Sequence, residues 1–272
     1  MSRWWEEPLS TLAFCWRLER ADGITLGFTS HDRDLMIKGL VYRAAPGLKP
    51  SAITRSDGLE TSTLDMSGAL SGEGIREQDL AAGRWDGAAV RLSAVDWTQP
   101  EVDPLLLARG TIGDIEIRDG AFTAELAGPA SVLDRPAGER TSPGCRASLG
   151  DRRCRVDLAP RIRSATIITV ESETGLVLDT VEPSANAYAY GSLRWIDGPN
   201  SGLASAIRRS EAGRLELAEP PFAPATSGVR IELTEGCDKR FQTCRSRFAN
   251  VANFRGEPHL PGNDLLIRYP GS

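Results

Sequence analysis

The sequence has few of the residues on which most catalytic sites depend. His31 and His259 are its only histidines, and lysine is confined to Lys38, Lys49 and Lys239. Histidine supplies many general bases and metal ligands, so two distant histidines give little basis for a nucleophile–base pair. Neither GxGxxG nor GxxxxGKS/T occurs. Dinucleotide-binding and P-loop chemistry are therefore not indicated.

Long apolar runs are also lacking. No stretch could span a bilayer, and the N-terminal MSRWWEEPLSTL lacks the apolar core of a signal peptide. The net charge is −5, and no lysine- or arginine-rich tract marks a nucleic-acid footprint. With 40% hydrophobic and 25% charged residues, the composition is that of a globular protein. We expect a protein without a membrane segment that is made in the cytoplasm.

Alternation of apolar and polar residues predicts strands through most of the chain. In the first half, LAFCWRLER and VRLSAVDW show this pattern, and IGDIEIRDGAFTAELAG predicts a hairpin turning at Asp119-Gly120. One short helix, closed by Gly83, is predicted over residues 75–82. Five further strands are predicted after Ser164, in SATIITVES, GLVLDTV, YGSLRWI, RLELAE and VRIELTEG. The predicted fold class is mainly β, with small barrel or sandwich domains and a few short helices.

Four of the five cysteines lie in two polar segments that bracket this second set of strands. Cys145 and Cys154 have eight residues between them, and Cys237 and Cys244 have six. The two ends of a small domain usually lie close together, so the segments are expected to meet and bring four thiols into one site. Cys15 lies on a predicted strand and is interpreted as an ordinary cysteine.

The cysteine positions divide the chain into three predicted domains. Residues 1–135 form an N-terminal β-rich domain. Residues 136–163 and 234–272 together form a cysteine-bearing domain. Residues 164–233 form a small β-barrel domain inserted into it.

Two interpretations of the four cysteines do not involve a metal. Ordinary buried thiols are disfavoured because their neighbours are mostly charged, and basic neighbours are expected to lower the thiol pKa. Disulfides are disfavoured in a reducing cytoplasm. A helix capped by Asp238 would also hold Cys237 and Cys244 about 10 Å apart, beyond the roughly 7 Å that a disulfide allows. Cross-pairing between the segments stays geometrically open.

A metal site is the third interpretation. Structural zinc sites usually present ligands about two to four residues apart, and neither spacing here has that form. An iron–sulfur cube can hold its thiolates further apart. The predicted helix also places Phe241 and Phe248 on one stripe, where they could shield a cluster from water. The residues favour an iron–sulfur cluster, with zinc as the alternative.

The cysteine segments also carry a resemblance. GCRASLGDRRCRVDL and GCDKRFQTCRSRFANVANFRGEPHLPGNDLL resemble the C-terminal half of a tail-tip hub family found in phages and gene transfer agents, the phage BR0599-like proteins. LAFCWRLERADGITLGFTSHDRDLMIKGLVYRAAPG resembles the other signature region of that family, so the resemblance extends over nearly the whole chain. The cysteine spacing is similar to that of the tail-tip protein L of phage lambda, whose C-terminal domain holds a 4Fe–4S cluster.

This resemblance implies that Cys145, Cys154, Cys237 and Cys244 ligate a 4Fe–4S cluster. It implies a structural, non-enzymatic baseplate hub in the virion, at the tail tip, that acts in tail assembly and DNA delivery. The implied partners are two further copies in a homotrimer, a distal tail protein ring and a central fibre or host-specificity protein. A tail-associated peptidase is a further candidate, and DNA would pass through the channel without specific binding. The alternatives are an iron–sulfur redox protein and a zinc-stabilised binding module.

Overall fold

The structure is a computed structural model that describes residues 11–44, 49–50, 63–69, 74–128 and 138–259. The chain divides into two compact units, Met1–Ala137 and Gly138–Ser272. The three domains predicted from the sequence, with their finer boundaries, stay a prediction. No helix in the described ranges is long and apolar enough to cross a membrane.

The first unit is built on one nine-stranded sheet. Its strands are β1 Leu12–Glu19, β2 Thr25–Thr29, β3 Leu35–Ile37, β4 Leu40–Ala44, β5 Lys49–Pro50, β6 Thr63–Ala69, β7 Ala89–Asp96, β8 Leu105–Arg118 and β9 Ala121–Ala127. Their order in the sheet is β3-β4-β2-β1-β7-β8-β9-β6-β5. Strands β2 and β4 pair in parallel, and the other neighbours are antiparallel. Helix α1 Glu77–Ala81 precedes β7.

Both faces of strand β1 are covered. Trp16 and Leu18 belong to the main hydrophobic core of the unit. Ala13 and Cys15 point to the other face and pack in a smaller core that includes Val95. Cys15 is buried there, which agrees with its interpretation as an ordinary cysteine.

Two local predictions for this unit are confirmed. Strands β8 and β9 form a hairpin, and Asp119 and Gly120 at its turn have φ angles of 50° and 74°. Both angles lie in the left-handed region that a tight two-residue hairpin turn requires. The predicted helix also forms, although α1 covers only part of residues 75–82, and Gly83 follows it with φ 69°.

The second unit contains a closed six-stranded barrel. Its strands are β10 Ile162–Val170, β11 Gly175–Leu178, β12 Ser192–Trp195, β13 Ala204–Glu211, β14 Arg214–Leu217 and β15 Arg230–Thr234, in the order β10-β11-β14-β13-β12-β15. Helix α2 Phe241–Ser246 and the 3-10 turns Ala159–Arg161 and Val251–Asn253 lie outside it. The prediction of a mainly β protein with a small barrel is confirmed.

Strand β13 is absent from the prediction. Its sequence, ASAIRRSE, places Arg208 and Arg209 side by side, and the pairing with β14 shifts register between Ile207 and Arg209. This bulge interrupts the alternation of inward and outward residues by which a strand is recognised. Only Ile207 and Ser210 of the strand are buried.

The barrel brings its two chain ends together. Strands β10 and β15 are antiparallel neighbours, and Ile162, the first residue of β10, pairs with Thr234, the last residue of β15. The chain therefore enters and leaves the barrel at the same place. The cysteine segments begin there, as the sequence predicts.

Candidate metal centre

Two segments without long regular structure extend from this end of the barrel. We call residues 138–161 the first arm and residues 235–259 the second arm. Backbone hydrogen bonds join them: Cys145 N–H donates to the Lys239 carbonyl at 2.8 Å and Arg146 N–H to the Arg255 carbonyl at 3.0 Å. These bonds satisfy backbone groups that a helix or sheet would otherwise pair.

The backbones of the two arms are in contact at two glycines. A Cβ atom built on Gly256 would lie 2.4 Å from the carbonyl oxygen of Gly144, so no side chain fits at this position. The next residue, Glu257, forms a two-pronged ion pair with the Arg146 guanidinium at 2.7 and 2.9 Å. This ion pair lowers the pKa of Glu257 to about 2. Gly256 is therefore held against the first arm by its backbone contact with Gly144 and by the ion pair of the neighbouring Glu257.

Each arm carries two of the predicted cysteines, and hydrogen bonds between the arms involve Cys145 and Cys154. Burial raises the pKa of the Cys244 thiol, and the other three thiols, Cys145, Cys154 and Cys237, raise it further through electrostatic interaction. All of these thiols are free, as is Cys15, which belongs to the other unit. The predicted convergence of the two segments is thus present in the structure.

Short polar turns fix Cys154 and Cys244, which are the most buried of the four arm cysteines. Cys154 N–H donates to the Asp151 carboxylate at 2.6 Å, and this carboxylate also accepts the N–H groups of Ser148 and Arg153. Cys244 lies on α2. Ahead of that helix the Asp238 carboxylate accepts hydrogen bonds from Arg240 N–H and the Thr243 hydroxyl.

The predicted helix from Asp238 through Cys244 is wrong in its length. Lys239 has φ 65°, which is incompatible with a helix, and α2 begins only at Phe241. Cys237 therefore precedes the helix, so the predicted 10 Å helical separation from Cys244 does not apply.

Hydrogen-bond donors face three of the four sulfur atoms. Arg255 N–H approaches Cys145 Sγ at 3.4 Å, and the Asn250 amide nitrogen lies 3.6 Å from Cys154 Sγ. The backbone N–H of Lys239 and its charge both act to lower the pKa of Cys237, although burial outweighs them and the pKa is raised. Donors of this kind stabilise a thiolate over a thiol, and they tune the potential of a bound cluster.

Asn250 connects cysteines of both arms. Its side-chain amide donates to the Cys154 carbonyl at 2.6 Å, and its backbone N–H donates to the Cys244 carbonyl at 3.0 Å. The Cys244 thiol in turn donates to the Asn250 carbonyl at 3.4 Å. Asn253 holds the amide in place by donating to its oxygen at 2.7 Å. Sequence reasoning missed Asn250, since an asparagine in a polar segment carries no distinguishing signal.

The predicted lowering of thiol pKa by neighbouring arginines is wrong for Cys237 and Cys244, because burial dominates at both. Several of the neighbouring guanidiniums bind carboxylates instead. Arg146 and Arg153 both bind Glu139. Arg161 and Arg247 share the buried carboxylate of Glu235, and these two contacts are 2.9 and 2.7 Å.

The two phenylalanines predicted to share a helical stripe lie in different environments. Helix α2 ends at Ser246, before Phe248. The Phe248 ring packs against the guanidiniums of Arg161 and Arg247, at 4.7 and 5.0 Å from its centroid. Phe241 makes an edge contact with Phe254 instead, with ring centroids 5.2 Å apart. Phe248 thus packs the second arm against Arg161 of the first arm.

Four cysteine thiols are the donor set of both a 4Fe–4S cluster and a structural zinc site. In the part of the chain that the structure describes, no three His, Cys, Asp or Glu side chains are arranged to hold one metal ion. The four thiols are unbridged, and that of Cys244 interacts electrostatically with the other three. Each thiolate of a 4Fe–4S cluster binds a different iron, so its ligands need not converge on one point.

Comparisons with known proteins agree with the fold. Residues 2–157 match the N-terminal attachment domain of baseplate hub proteins, and residues 186–264 match the phage conserved hypothetical protein BR0599. A chain of the solved virion of a native gene transfer agent particle is 37% identical. The match covers 99% of this chain and 94% of that chain, with a TM-score of 0.85. No curated protein matches.

Proposed function

Because this chain belongs to the family of phage baseplate hub proteins, we propose that it is the tail-tip hub of a gene transfer agent particle and acts in tail assembly and DNA delivery. The resemblance found in the sequence is confirmed by the matches to both family models. The predicted place of the protein, in the tail of a virion, agrees with the same matches. A structural role, without a catalytic centre, is the interpretation that this family supports.

Within the hub, Cys145, Cys154, Cys237 and Cys244 would hold a 4Fe–4S cluster. The observation that carries this proposal is the set of hydrogen bonds that joins the two cysteine-bearing arms, among them Arg255 N–H to Cys145 Sγ and the Asn250 amide to the Cys154 carbonyl. A bound cluster would contribute metal–thiolate bonds to the folding free energy. The arms' own residues orient the thiols and supply the N–H donors, whether or not the cluster is bound.

A structural role for the cluster follows from the composition of the arms. Only a few of their residues are buried apolar side chains, among them Ala147 and Phe248. The arms are joined mainly by hydrogen bonds and by the ion pair between Arg146 and Glu257. A cluster bound by the four cysteines would cross-link the two arms and supply stability that burial does not provide. This structural role distinguishes the proposal from an electron carrier.

The proposed partners follow from the place of a hub in a tail. Identical copies around the tail axis would form a closed ring, the usual arrangement of homo-oligomers, and we propose a homotrimer. A distal tail protein ring would lie on one side of it and a central fibre protein on the other. DNA would leave through the channel.

Purified particles test the hub assignment directly. Mass spectrometry should find this chain in every preparation, in a small fixed number of copies per tail. A strain that lacks the gene should accumulate tails without a complete tip and deliver no DNA. Absence of the chain from the particles, or normal delivery without the gene, would contradict the assignment.

A further inference from the structure

Charge is distributed unevenly within the second unit. The two arms contain eleven arginines and lysines against six aspartates and glutamates, whereas the barrel, residues 162–234, contains six against nine. The arms are thus strongly basic within a chain of net charge −5. Such a separation of charge indicates a surface that binds an anionic partner.

The acidic groups of the arms are already engaged. Three carboxylates neutralise four arginines: Glu139 binds Arg146 and Arg153, Glu257 binds Arg146, and Glu235 binds Arg161 and Arg247. The aspartates accept backbone N–H groups: Asp151 from residues 148, 153 and 154, Asp157 from residue 159 and Asp238 from residue 240.

Five arginines are left over, and each is exposed. They are Arg140, Arg152, Arg155, Arg245 and Arg255. None of them has an acidic partner among the residues that the structure describes. Arg240 adds a sixth exposed guanidinium, which comes no closer than 4.0 Å to the Asp238 carboxylate.

The arginines of the barrel behave differently. Five of the six have a carboxylate partner on the barrel surface: Arg194 with Glu232, Arg208 with Glu216, Arg209 with Glu211, Arg214 with Glu171 and Arg230 with Asp197. General solubility would not require such a contrast between two parts of one unit. Unpaired arginines are therefore concentrated in the arms, and Arg163 is the one barrel arginine without a carboxylate partner among the described residues.

The unpaired guanidiniums are exposed to solvent and are therefore available to a ligand. Their forks of N–H groups match the geometry of phosphate oxygens.

We propose that the exposed arginines of the two arms bind the phosphate backbone of duplex DNA without sequence preference. This inference rests on the proposed function, since a tail-tip hub meets DNA as it leaves the particle. The arginines are separate groups on segments without long regular structure, so they match a partner whose charge repeats regularly. DNA has such a charge pattern, and an acidic protein generally does not. Phosphate contacts of this kind position a duplex without reading its sequence.

Fluorescence anisotropy of a labelled duplex with the full chain, over a range of NaCl concentrations, tests the proposal. Five phosphate contacts predict a slope of log K against log salt of about −4.5, so affinity should fall on the order of 500-fold from 50 to 200 mM NaCl. Arg→Gln at all five unpaired arm arginines should flatten the slope towards zero. The matched control carries Arg→Gln at Arg194, Arg208, Arg209, Arg214 and Arg230, which removes the same charge from the barrel.

The outcomes separate the alternatives. Binding that is lost in the arm variant and retained in the barrel variant supports the proposal, provided that both variants keep the melting temperature of the parent. Equal loss of DNA affinity in both variants would show that binding depends only on net charge, and would overturn the proposal. Competition by polyglutamate as effective as by DNA would indicate an acidic protein partner instead. Failure here leaves the hub and cluster assignments untouched, because copy number in particles and iron content are measured separately.

Discussion

The side chain of Asn250 and the backbone carbonyl of Cys154, from opposite arms, are joined by a hydrogen bond of 2.6 Å. The same asparagine contacts Cys244 through its own backbone. Two of the four cysteines are thus positioned by one residue that is not a ligand. A metal-free protein should already hold these thiols close to their final places.

Replacing Asn250 tests this positioning role. Asn250→Ala leaves the Cys154 carbonyl without its partner, so the free energy of unfolding should fall by about 1–3 kcal/mol. The buried thiols should also react several-fold faster with a disulfide reagent in the metal-free protein.

Asn200→Ala is the matched control. Asn200 is a buried asparagine of the barrel that exchanges two hydrogen bonds with the Ala223 backbone, at 2.7 and 2.9 Å. The Asn200→Ala variant should lose a similar amount of stability. Under conditions where the protein stays folded, its thiols should react at the unchanged rate. Equal acceleration in both variants would show that general loosening, and not Asn250, exposes the thiols.

The close contact between Gly256 and Gly144 predicts an asymmetric pair of variants. A Cβ on Gly256 would overlap the Gly144 carbonyl, whereas a Cβ on Gly144 would meet nothing nearer than 3.6 Å. Gly256→Ala should therefore destabilise the second unit by about 1–3 kcal/mol, and Gly144→Ala should change it by less than about 0.5 kcal/mol. Urea denaturation measures both, and equal tolerance would contradict the packing of the arms.

The ion pair between Glu257 and Arg146 predicts a dependence on pH. Its carboxyl pKa is lowered from 4.5 to about 2 in the folded protein. A lowered pKa stabilises the fold above the unfolded value, and this contribution is lost as pH falls from about 4.5 to about 2. Because the pair is exposed, the effect should be small and weaken with salt.

Melting temperatures of the parent and of Glu257→Gln, measured across that range, isolate this contribution. The parent should lose more stability on acidification, and the two curves should converge near pH 2. Parallel curves would show that the ion pair does not contribute.

The sequence predicts this fold well wherever a local rule decides the structure. Alternation identifies β1 and β7, and Asp119-Gly120 supplies residues that tolerate a positive φ at the hairpin turn. The meeting of the cysteine arms is also predictable, because it needs only a barrel whose ends are close. In the structure, the pairing of Ile162 with Thr234 brings the two ends of the barrel together.

Features that depend on long-range contacts escape such rules. The bulge at Ile207 hides β13, and the positive φ of Lys239 shortens the helix before Cys244. Arginines next to a cysteine in sequence suggest a lowered thiol pKa. One of their partners, Glu257 for Arg146, lies 111 residues away. Asn250 acts through contacts that only the folded chain reveals.

Iron and acid-labile sulfide in protein purified without oxygen test the central claim most directly. We expect about four irons and four sulfides per chain, lost when Cys145, Cys154, Cys237 or Cys244 is changed to Ser and retained in Cys15→Ser. A preparation that holds one zinc per chain and no sulfide, or that binds iron equally well in all five variants, would contradict it.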